Sequence, residues 1–291
     1  MPFCRLIMAD WSAASAPGPK RPSPNRCWVG CLDMAGSRPE IVYCRTRQLA
    51  LDRIEAWTAE GRAHGPVLIG FDFPFGYPAG SGLPGGRPLA EFLFRHIRDD
   101  ADDRNNRFEA ADRFNRLLNP NGAGPFWGCP DTRATASLST TRPKPWPAHI
   151  REFRQVELAL KGMGIQSVWK LAYTASVGSQ VLMGMHAIHR LLQRPAFRNA
   201  RIWPFETDWA NDLGPIAIAE IWPNLFFPAL RSDPLVAAQP IRDAGQVLAT
   251  LLAIRAELQA GRIDTLLGPP AGLNPGGLAA AIGQEGWIVG A

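Results

Sequence analysis

The sequence predicts an α/β fold in which helices flank a mixed β-sheet. Short apolar runs that are typical of strands recur along the 291 residues, and the first three follow one another without a helix between them. Such a series predicts an antiparallel meander. Later runs alternate with segments of helical spacing, which favours parallel strands added to the same sheet. The composition, 46% hydrophobic and 20% charged, excludes a disordered or fibrous chain.

The first part of the core is predicted to run strand, strand, strand, helix, strand. Its elements are the strands 3–9, 26–32 and 40–45, the helix 48–63 and the strand 67–71. A loop rich in Pro, Ser and Ala follows the first strand, and Asp33 begins a turn between the second and third. The fourth apolar run ends at Asp72, and its continuous hydrophobicity predicts a buried central strand.

We expect one domain over residues 1–291, interrupted at 76–166 by a mostly helical insertion that covers or frames a site. Glycine and proline cluster in this segment, between stretches of helical spacing at 89–97, 107–118 and 147–161. The core pattern then resumes. It comprises a helix over 181–192, strands at 201–205 and 216–221, a helix over 241–258 and a short closing helix and strand at 278–282 and 287–289.

Composition also limits the function classes. The formal charge of +5, carried mostly by arginine, permits nucleic acid or another phosphate-bearing ligand as partner without requiring one. The five cysteines include no CxxC pair, which argues against a zinc ribbon or a thioredoxin-type redox site. No apolar run approaches the ~18 residues of a membrane span, and the first residues resemble no secretory signal. We expect a cytoplasmic protein without a membrane partner; the sequence predicts no oligomeric state.

Four acidic residues stand at informative places in this pattern. Asp10 follows the first strand, Asp72 follows the fourth, Glu220 lies in a later strand, and Asp243 opens the last long helix. First and fourth strands are natural neighbours in a mixed sheet, so Asp10 and Asp72 are expected to converge. Two bare carboxylates ~4 Å apart repel by about 4 kcal/mol at an effective dielectric of ~20. Protons or cations must offset that repulsion, and carboxylates without His or Cys suit Mg²⁺ or Mn²⁺.

Each of these acids also has a structural explanation. Asp10 precedes a polar loop and can serve as a turn or cap residue. Strand alternation can direct Glu220 to solvent, and an acid such as Asp243 is favoured in the first turn of any helix. Asp72 has the weakest structural explanation, because a carboxylate inside an apolar run is costly without a partner.

A second candidate site is the small-residue turn over 176–180, which enters a helix. Its backbone N–H groups can hold an anion, and Lys170 just before it can add a cation. Ser176, Gly178, Ser179 and Lys170 are therefore candidate cofactor-binding residues. The segment lacks the lysine and spacing of a P-loop, and tight helix packing at Gly178 is the alternative explanation.

Five motifs resemble those of an uncharacterised bacterial family of predicted nucleases with a ribonuclease H-like fold. They are Asp10-Trp11-Ser12, Ile69-Gly70-Phe71-Asp72-Phe73-Pro74-Phe75-Gly76, Ser176-Val177-Gly178-Ser179-Gln180, Ala219-Glu220-Ile221-Trp222-Pro223 and Ile241-Arg242-Asp243-Ala244. The resemblance implies a ribonuclease H-like mixed five-stranded sheet flanked by helices. It also implies an acidic catalytic metal site of Asp10, Asp72 and Asp243, with Glu220 as the fourth acid.

The chain departs from the characterised ribonuclease H pattern at one point. Those enzymes place a catalytic glutamate on the first helix, whereas Glu55 lies in the middle of the predicted helix without a motif around it. Glu220 or Glu206 is then the candidate to replace it, unless the site does not work as a nuclease.

The sequence thus predicts a divalent-metal-dependent nuclease or phosphodiesterase, a hydrolase that acts on nucleic acid through Asp10, Asp72, Glu220 and Asp243. Paired divalent ions serve in-line displacement at phosphorus in such sites. A non-catalytic binding or assembly module of the same fold remains an alternative. An actin-like phosphotransferase is less favoured, because no glycine-containing phosphate turn follows Asp10 and only one copy of the core is visible.

Overall fold

A computed structural model, which describes residues 2–36, 38–174 and 176–291, confirms an α/β architecture with a mixed sheet flanked by helices. The strands are β1 (Arg5–Asp10), β2 (Cys27–Asp33), β3 (Glu40–Cys44), β4 (Val67–Phe71), β5 (Ala200–Ile202) and β6 (Ile216–Glu220). Their order across the sheet is β3-β2-β1-β4-β6-β5. The first three form the predicted antiparallel meander, and β4, β6 and β5 add parallel strands beside β1.

Ten α-helices lie within the described residues. They are α1 (Arg47–Arg62), α2 (Gly86–His96), α3 (Arg107–Leu118), α4 (Gln155–Ala159), α5 (Gly178–Leu192), α6 (Phe227–Leu230), α7 (Pro234–Ala237), α8 (Arg242–Gln259), α9 (Ile263–Leu267) and α10 (Pro275–Ala280). Single 3₁₀ turns occur at Asp131–Arg133, Pro195–Phe197 and Pro223–Leu225, and a π-helical turn at Ala281–Glu285. None of these helices is long and apolar enough to cross a membrane.

The sheet has six strands, so the expectation of five is wrong. The strand predicted at 201–205 is present as β5, which has three residues and lies at the edge beside β6. Its ladder continues only to the Trp203 amide, which donates to the Ile218 carbonyl at 2.8 Å. Pro204 follows and has no N–H to donate, so the pairing ends there.

The two faces of the sheet carry different layers. Ile7 of β1 and Phe71 of β4 point towards α1, α5 and much of the 76–166 segment, in one hydrophobic cluster. Leu6 and Met8 point to the other face, where α8 packs. On that face, a Cβ at Gly30 of β2 would lie 2.7 Å from the Leu251 side chain, so the absence of a side chain lets α8 approach the sheet.

The 76–166 segment is less helical than expected, because only α2, α3, α4 and one 3₁₀ turn form in it. The predicted helix over 147–161 is reduced to α4, which covers only Gln155–Ala159. Apolar residues of the segment, such as Leu89 and Phe114, belong to the same buried cluster as Ile7. The segment therefore packs onto the sheet rather than forming a separate core. The five cysteines are unpaired thiols.

Candidate functional site

The carboxyl ends of β1 and β4 bring Asp10 and Asp72 together. The two strands are parallel neighbours with Ala9 opposite Phe71, so both chains reach the sheet edge at the same level. The Asp72 amide donates to the Ala9 carbonyl at 3.1 Å, which extends the ladder by one step. The two carboxyl groups are close enough to interact with each other, and this interaction favours a proton on the pair.

Asp243 joins this pair from the helix that packs on the same face. It lies in the first turn of α8, where an acid interacts favourably with the helix dipole. Its Oδ2 atom accepts a hydrogen bond from the Asn25 amide at 2.6 Å, in the loop before β2. Its charge acts on both Asp10 and Asp72. Three acids that are far apart in the sequence therefore share one electrostatic site.

The pKa values of Asp10 and Asp72 are raised by burial and by the neighbouring carboxylates. Burial raises the pKa of Asp10 well above its usual range, and the charges of Asp72 and Asp243 raise it further. Burial also raises the pKa of Asp72, to about 7, although the Trp11 amide opposes the shift by donating to Asp72 Oδ1 at 2.6 Å. The pair therefore holds a proton at neutral pH unless another cation replaces it.

None of the three aspartates has an ion-pair partner among the described residues, whereas each glutamate considered for the site has one. Glu220 pairs with Arg154 at 2.6 Å, Glu206 with Arg87 at 2.5 Å, and Glu55 with Arg194 at 2.7 Å. Those glutamates are neutralised by the protein itself. The three aspartates are not neutralised in this way, so an external cation would be bound more favourably beside them than beside the paired glutamates.

Glu220 lines the same pocket as the three aspartates, but unlike them it is paired with an arginine. It lies opposite Phe71 in the β4–β6 ladder, so strand alternation directs it to the Phe71 face and away from Asp72. Both of its carboxylate oxygens accept hydrogen bonds from Arg154, and Oε2 also accepts one from the Phe75 amide. Arg154 is fully buried and also binds Glu157. This arrangement makes Glu220 a buried structural ion pair in place of a fourth cation ligand.

Two of the four candidate cofactor-binding residues, Gly178 and Lys170, already make contacts within the protein. The Gly178 amide donates to the Lys170 carbonyl at 2.7 Å, and a Cβ at Gly178 would lie 2.6 Å from the Val168 carbonyl oxygen. The Lys170 ammonium group donates to the Thr174 carbonyl at 2.6 Å. Gly178 thus fits the alternative of close packing, and its amide is already bonded.

Ser176 and Ser179, by contrast, line the same pocket as the three aspartates. The pocket has a volume of about 860 Å³, which is within the range of ligand sites. Its wall includes two residues that sequence reasoning passed over, Arg26 and Arg107. Neither belongs to a motif, and Arg107 follows a charged stretch that is typical of a solvated link, so the sequence offered no signal to separate them from other arginines.

The donor set of the pocket suits a hard divalent cation, because it consists of carboxylates without imidazole or thiolate. In residues 2–36, 38–174 and 176–291, no three Asp, Glu, His or Cys side chains already stand in metal-ligand positions. The hydrogen bonds from the Asn25 and Trp11 amides hold Asp243 and Asp72 in their present orientations. The site therefore has the negative charge that attracts a cation, but its three carboxylates are not arranged as metal ligands in this structure.

No protein-family model matches this chain, and neither a curated protein nor a solved structure is found to be similar to it. The chemistry of the site therefore carries the functional argument.

Proposed function

We propose that this protein is a divalent-metal-dependent phosphodiesterase that acts on nucleic acid. One observation carries the proposal: Asp10, Asp72 and Asp243 share one pocket and lack an ion-pair partner among the described residues. Two ionised carboxylates ~4 Å apart repel each other by about 4 kcal/mol at an effective dielectric of ~20. A bound divalent cation offsets that repulsion, so the unfavourable free energy of bringing the acids together favours cation binding.

In this proposal Asp10 and Asp72 hold the cation, and Asp243 supplies the third negative charge. Mg²⁺ or Mn²⁺ in such a site lowers the pKa of bound water and stabilises charge on a phosphoryl group. The amides of Trp11 and Asn25 orient the carboxylates, and the protein fixes the acids before substrate binds. Glu220 has no metal-binding role here, because Arg154 already satisfies it.

The position of the acids in the sheet supports a ribonuclease H-like reading of the fold. The resemblance in the sequence implies acids at the end of the first strand, at the end of the fourth, and on the last core helix. The sheet has an antiparallel meander whose first strand is the parallel neighbour of β4, and the acids lie at those places. A basic chain with arginines on the wall of the pocket suits a polyanionic substrate.

The experiment is a thermal melt with and without Mn²⁺, combined with cleavage of a labelled oligonucleotide. At a free Mn²⁺ concentration of 100 Kd, one tightly bound ion adds about 2.7 kcal/mol to the free energy of unfolding. We expect Asp10→Asn to abolish both this stabilisation and the cleavage while the protein stays folded. Asp264→Asn is the matched control, because Asp264 is also a first-turn helix aspartate but is exposed and distant in sequence.

A wild-type protein that Mn²⁺ does not stabilise would favour the non-catalytic binding module. Cleavage that persists in Asp10→Asn would assign the activity to a contaminant or to another site, and the proposal would fail.

A further inference from the structure

Two arginines on the wall of the acidic pocket, Arg26 and Arg107, form no ion pair with any described residue. Arginines elsewhere in the chain commonly do, as Arg154 does with Glu220. A guanidinium group that is partly withdrawn from water without an anion loses solvation and gains no Coulomb energy in return. Such an arrangement is expected where an anionic ligand supplies the missing partner.

Arg107 is held by neutral groups only. Its Nε donates to Ser179 Oγ at 3.1 Å, and its Nη1 donates to Ser15 Oγ at 2.5 Å and to Asn105 Oδ1 at 2.8 Å. The guanidinium also lies over the Phe108 ring, 4.4 Å from the centroid. These contacts fix its orientation and consume the donors of Nε and Nη1. In the described chain the Nη2 donors have no hydrogen-bond partner.

The surroundings of Arg107 reinforce its positive potential. Burial and the charges of Arg47 and Arg133 lower the pKa of Arg107 to about 10, although the charge of Asp99 opposes this shift. Arg107 therefore stays cationic at neutral pH, but its positive charge is less favourable there than in water. Ser179, which Arg107 contacts, lies in the first turn of the 15-residue helix α5, where the helix dipole is positive. An anion bound at Arg107 would relieve this repulsion.

Both arginines are structurally connected to the aspartates. Arg26 directly follows Asn25, whose amide donates to Asp243. Gln180, next to Ser179 on α5, donates from Nε2 to the Trp11 carbonyl at 2.7 Å, one residue after Asp10. The pocket thus combines acidic and cationic lining residues, and these hydrogen bonds connect the backbone segments that carry them.

We propose that Arg107 and Arg26 form a phosphate subsite that binds a backbone phosphate of a nucleic-acid strand, next to the phosphodiester at the aspartates. This inference rests on the proposed function. Arginine favours phosphate because its planar fork offers paired N–H donors to two oxygens. The subsite makes a strand with several phosphates a better ligand than an isolated phosphomonoester, since one phosphate cannot occupy both places.

The test is fluorescence anisotropy of a fluorescein-labelled single-stranded oligonucleotide in EDTA, at several salt concentrations, so that cleavage cannot contribute. We expect Arg107→Gln to weaken binding about tenfold, as loss of a charge-assisted contact does. The slope of log K against log salt should also fall by about 0.7, the value for one phosphate contact to a single strand. Arg107→Lys should keep most of the slope, because it keeps the charge.

Two further variants separate binding from folding. Arg26 makes no hydrogen bond with any described residue, so Arg26→Gln should reduce the affinity and the slope without lowering the melting temperature. Arg198→Gln is the matched control: Arg198 is exposed, has no ion-pair partner in the described part of the chain, and lies near the start of β5, away from the pocket. It should bind the oligonucleotide as the wild type does.

The inference is overturned if the wild type does not bind the oligonucleotide, or if Arg107→Gln and Arg26→Gln bind with the slope of Arg198→Gln. Its failure is distinct from failure of the proposed function. Asp10→Asn should bind the oligonucleotide at least as tightly as the wild type in EDTA, because the substitution adds no negative charge to the pocket and leaves both arginines in place. Arginine-dependent binding without Mn²⁺-dependent cleavage would keep the subsite and reject the phosphodiesterase.

Discussion

Glu220 lies directly opposite Phe71 in the parallel β4–β6 pair, one residue short of the level of Asp72. Because strand side chains alternate between faces, this single step directs the Glu220 side chain to the opposite side of the sheet from Asp72, although both residues line one pocket. Arg154 meets it on the Phe71 face, in a buried ion pair that also includes Glu157. The two carboxylates near the same sheet edge therefore differ in function: Asp72 is available to a cation, whereas Glu220 forms an ion pair with Arg154.

We therefore expect Glu220→Gln to destabilise the protein without changing its response to Mn²⁺. Loss of one partner of a buried pair costs about 3 kcal/mol or more, and chemical denaturation measures this free energy of unfolding. Glu206→Gln is the control, because the Glu206–Arg87 pair is more exposed and should cost about 1 kcal/mol or less. If the folded Glu220→Gln variant is no longer stabilised by Mn²⁺, Glu220 is a metal ligand and this prediction is wrong.

The strand and helix pattern of the core could be predicted because it follows local periodicity. α3 begins and ends at the predicted residues, and α1, α5 and α8 differ from prediction by a few residues. The convergence of Asp10 and Asp72 could also be expected, because it requires only that β1 and β4 be parallel neighbours.

The partners of the acids could not be predicted, since they depend on contacts between distant segments. Glu220 meets Arg154 from the 76–166 segment, and nothing in the sequence of either residue signals the other. The same holds for Arg107, whose importance follows from the absence of an ion-pair partner within the described residues. The predicted helix at 147–161 is also longer than the observed one, since only α4 forms there.

Gly178→Ala should destabilise the protein, because no free space exists beside this glycine. An added Cβ would lie 2.6 Å from the Val168 carbonyl oxygen and 2.7 Å from that of Lys170, and both are backbone atoms. Overpacking of this kind costs about 1–3 kcal/mol. Gly283→Ala is the matched control, since a Cβ there meets nothing within 4 Å. Equal denaturation midpoints for the two variants would contradict the packing role of Gly178.

Asp99→Asn should loosen the loop that follows Asp10. Asp99 accepts a hydrogen bond from Arg47 Nε at 2.8 Å, and both side chains are fully buried. Arg47 in turn donates to the carbonyls of Ser12 at 3.0 Å and Ala14 at 2.9 Å. Removing the buried negative partner should cost about 3–5 kcal/mol, and hydrogen exchange should accelerate at residues 12–14.

Asp100→Asn provides the comparison for this loop, because Asp100 is adjacent but exposed and pairs with Arg104 at 3.6 Å. It should cost about 1 kcal/mol or less. If both variants exchange at the same rate over residues 12–14, Arg47 does not anchor that loop.

Stability in EDTA should fall as the pH rises, because the native pKa values of Asp10 and Asp72 are raised. An unfolded aspartate titrates near 3.9, whereas burial raises the pKa of Asp72 to about 7 in the folded protein. Between these values the native state binds protons that the unfolded state has lost, so the free energy of unfolding decreases with pH. The decrease should extend from about pH 4 to about pH 7, and Asp72→Asn should flatten it.

Mn²⁺ should reverse this trend if it takes the place of the proton. Because the cation competes with protons for the same carboxylates, the gain in melting temperature on adding Mn²⁺ should grow as the pH rises towards 7 and beyond. Asp264→Asn, which lies outside the cluster, should reproduce the wild-type curve. A Mn²⁺ effect of constant size across this range would mean that the ion binds elsewhere, because only the raised pKa values of Asp10 and Asp72 link metal binding to pH in this window.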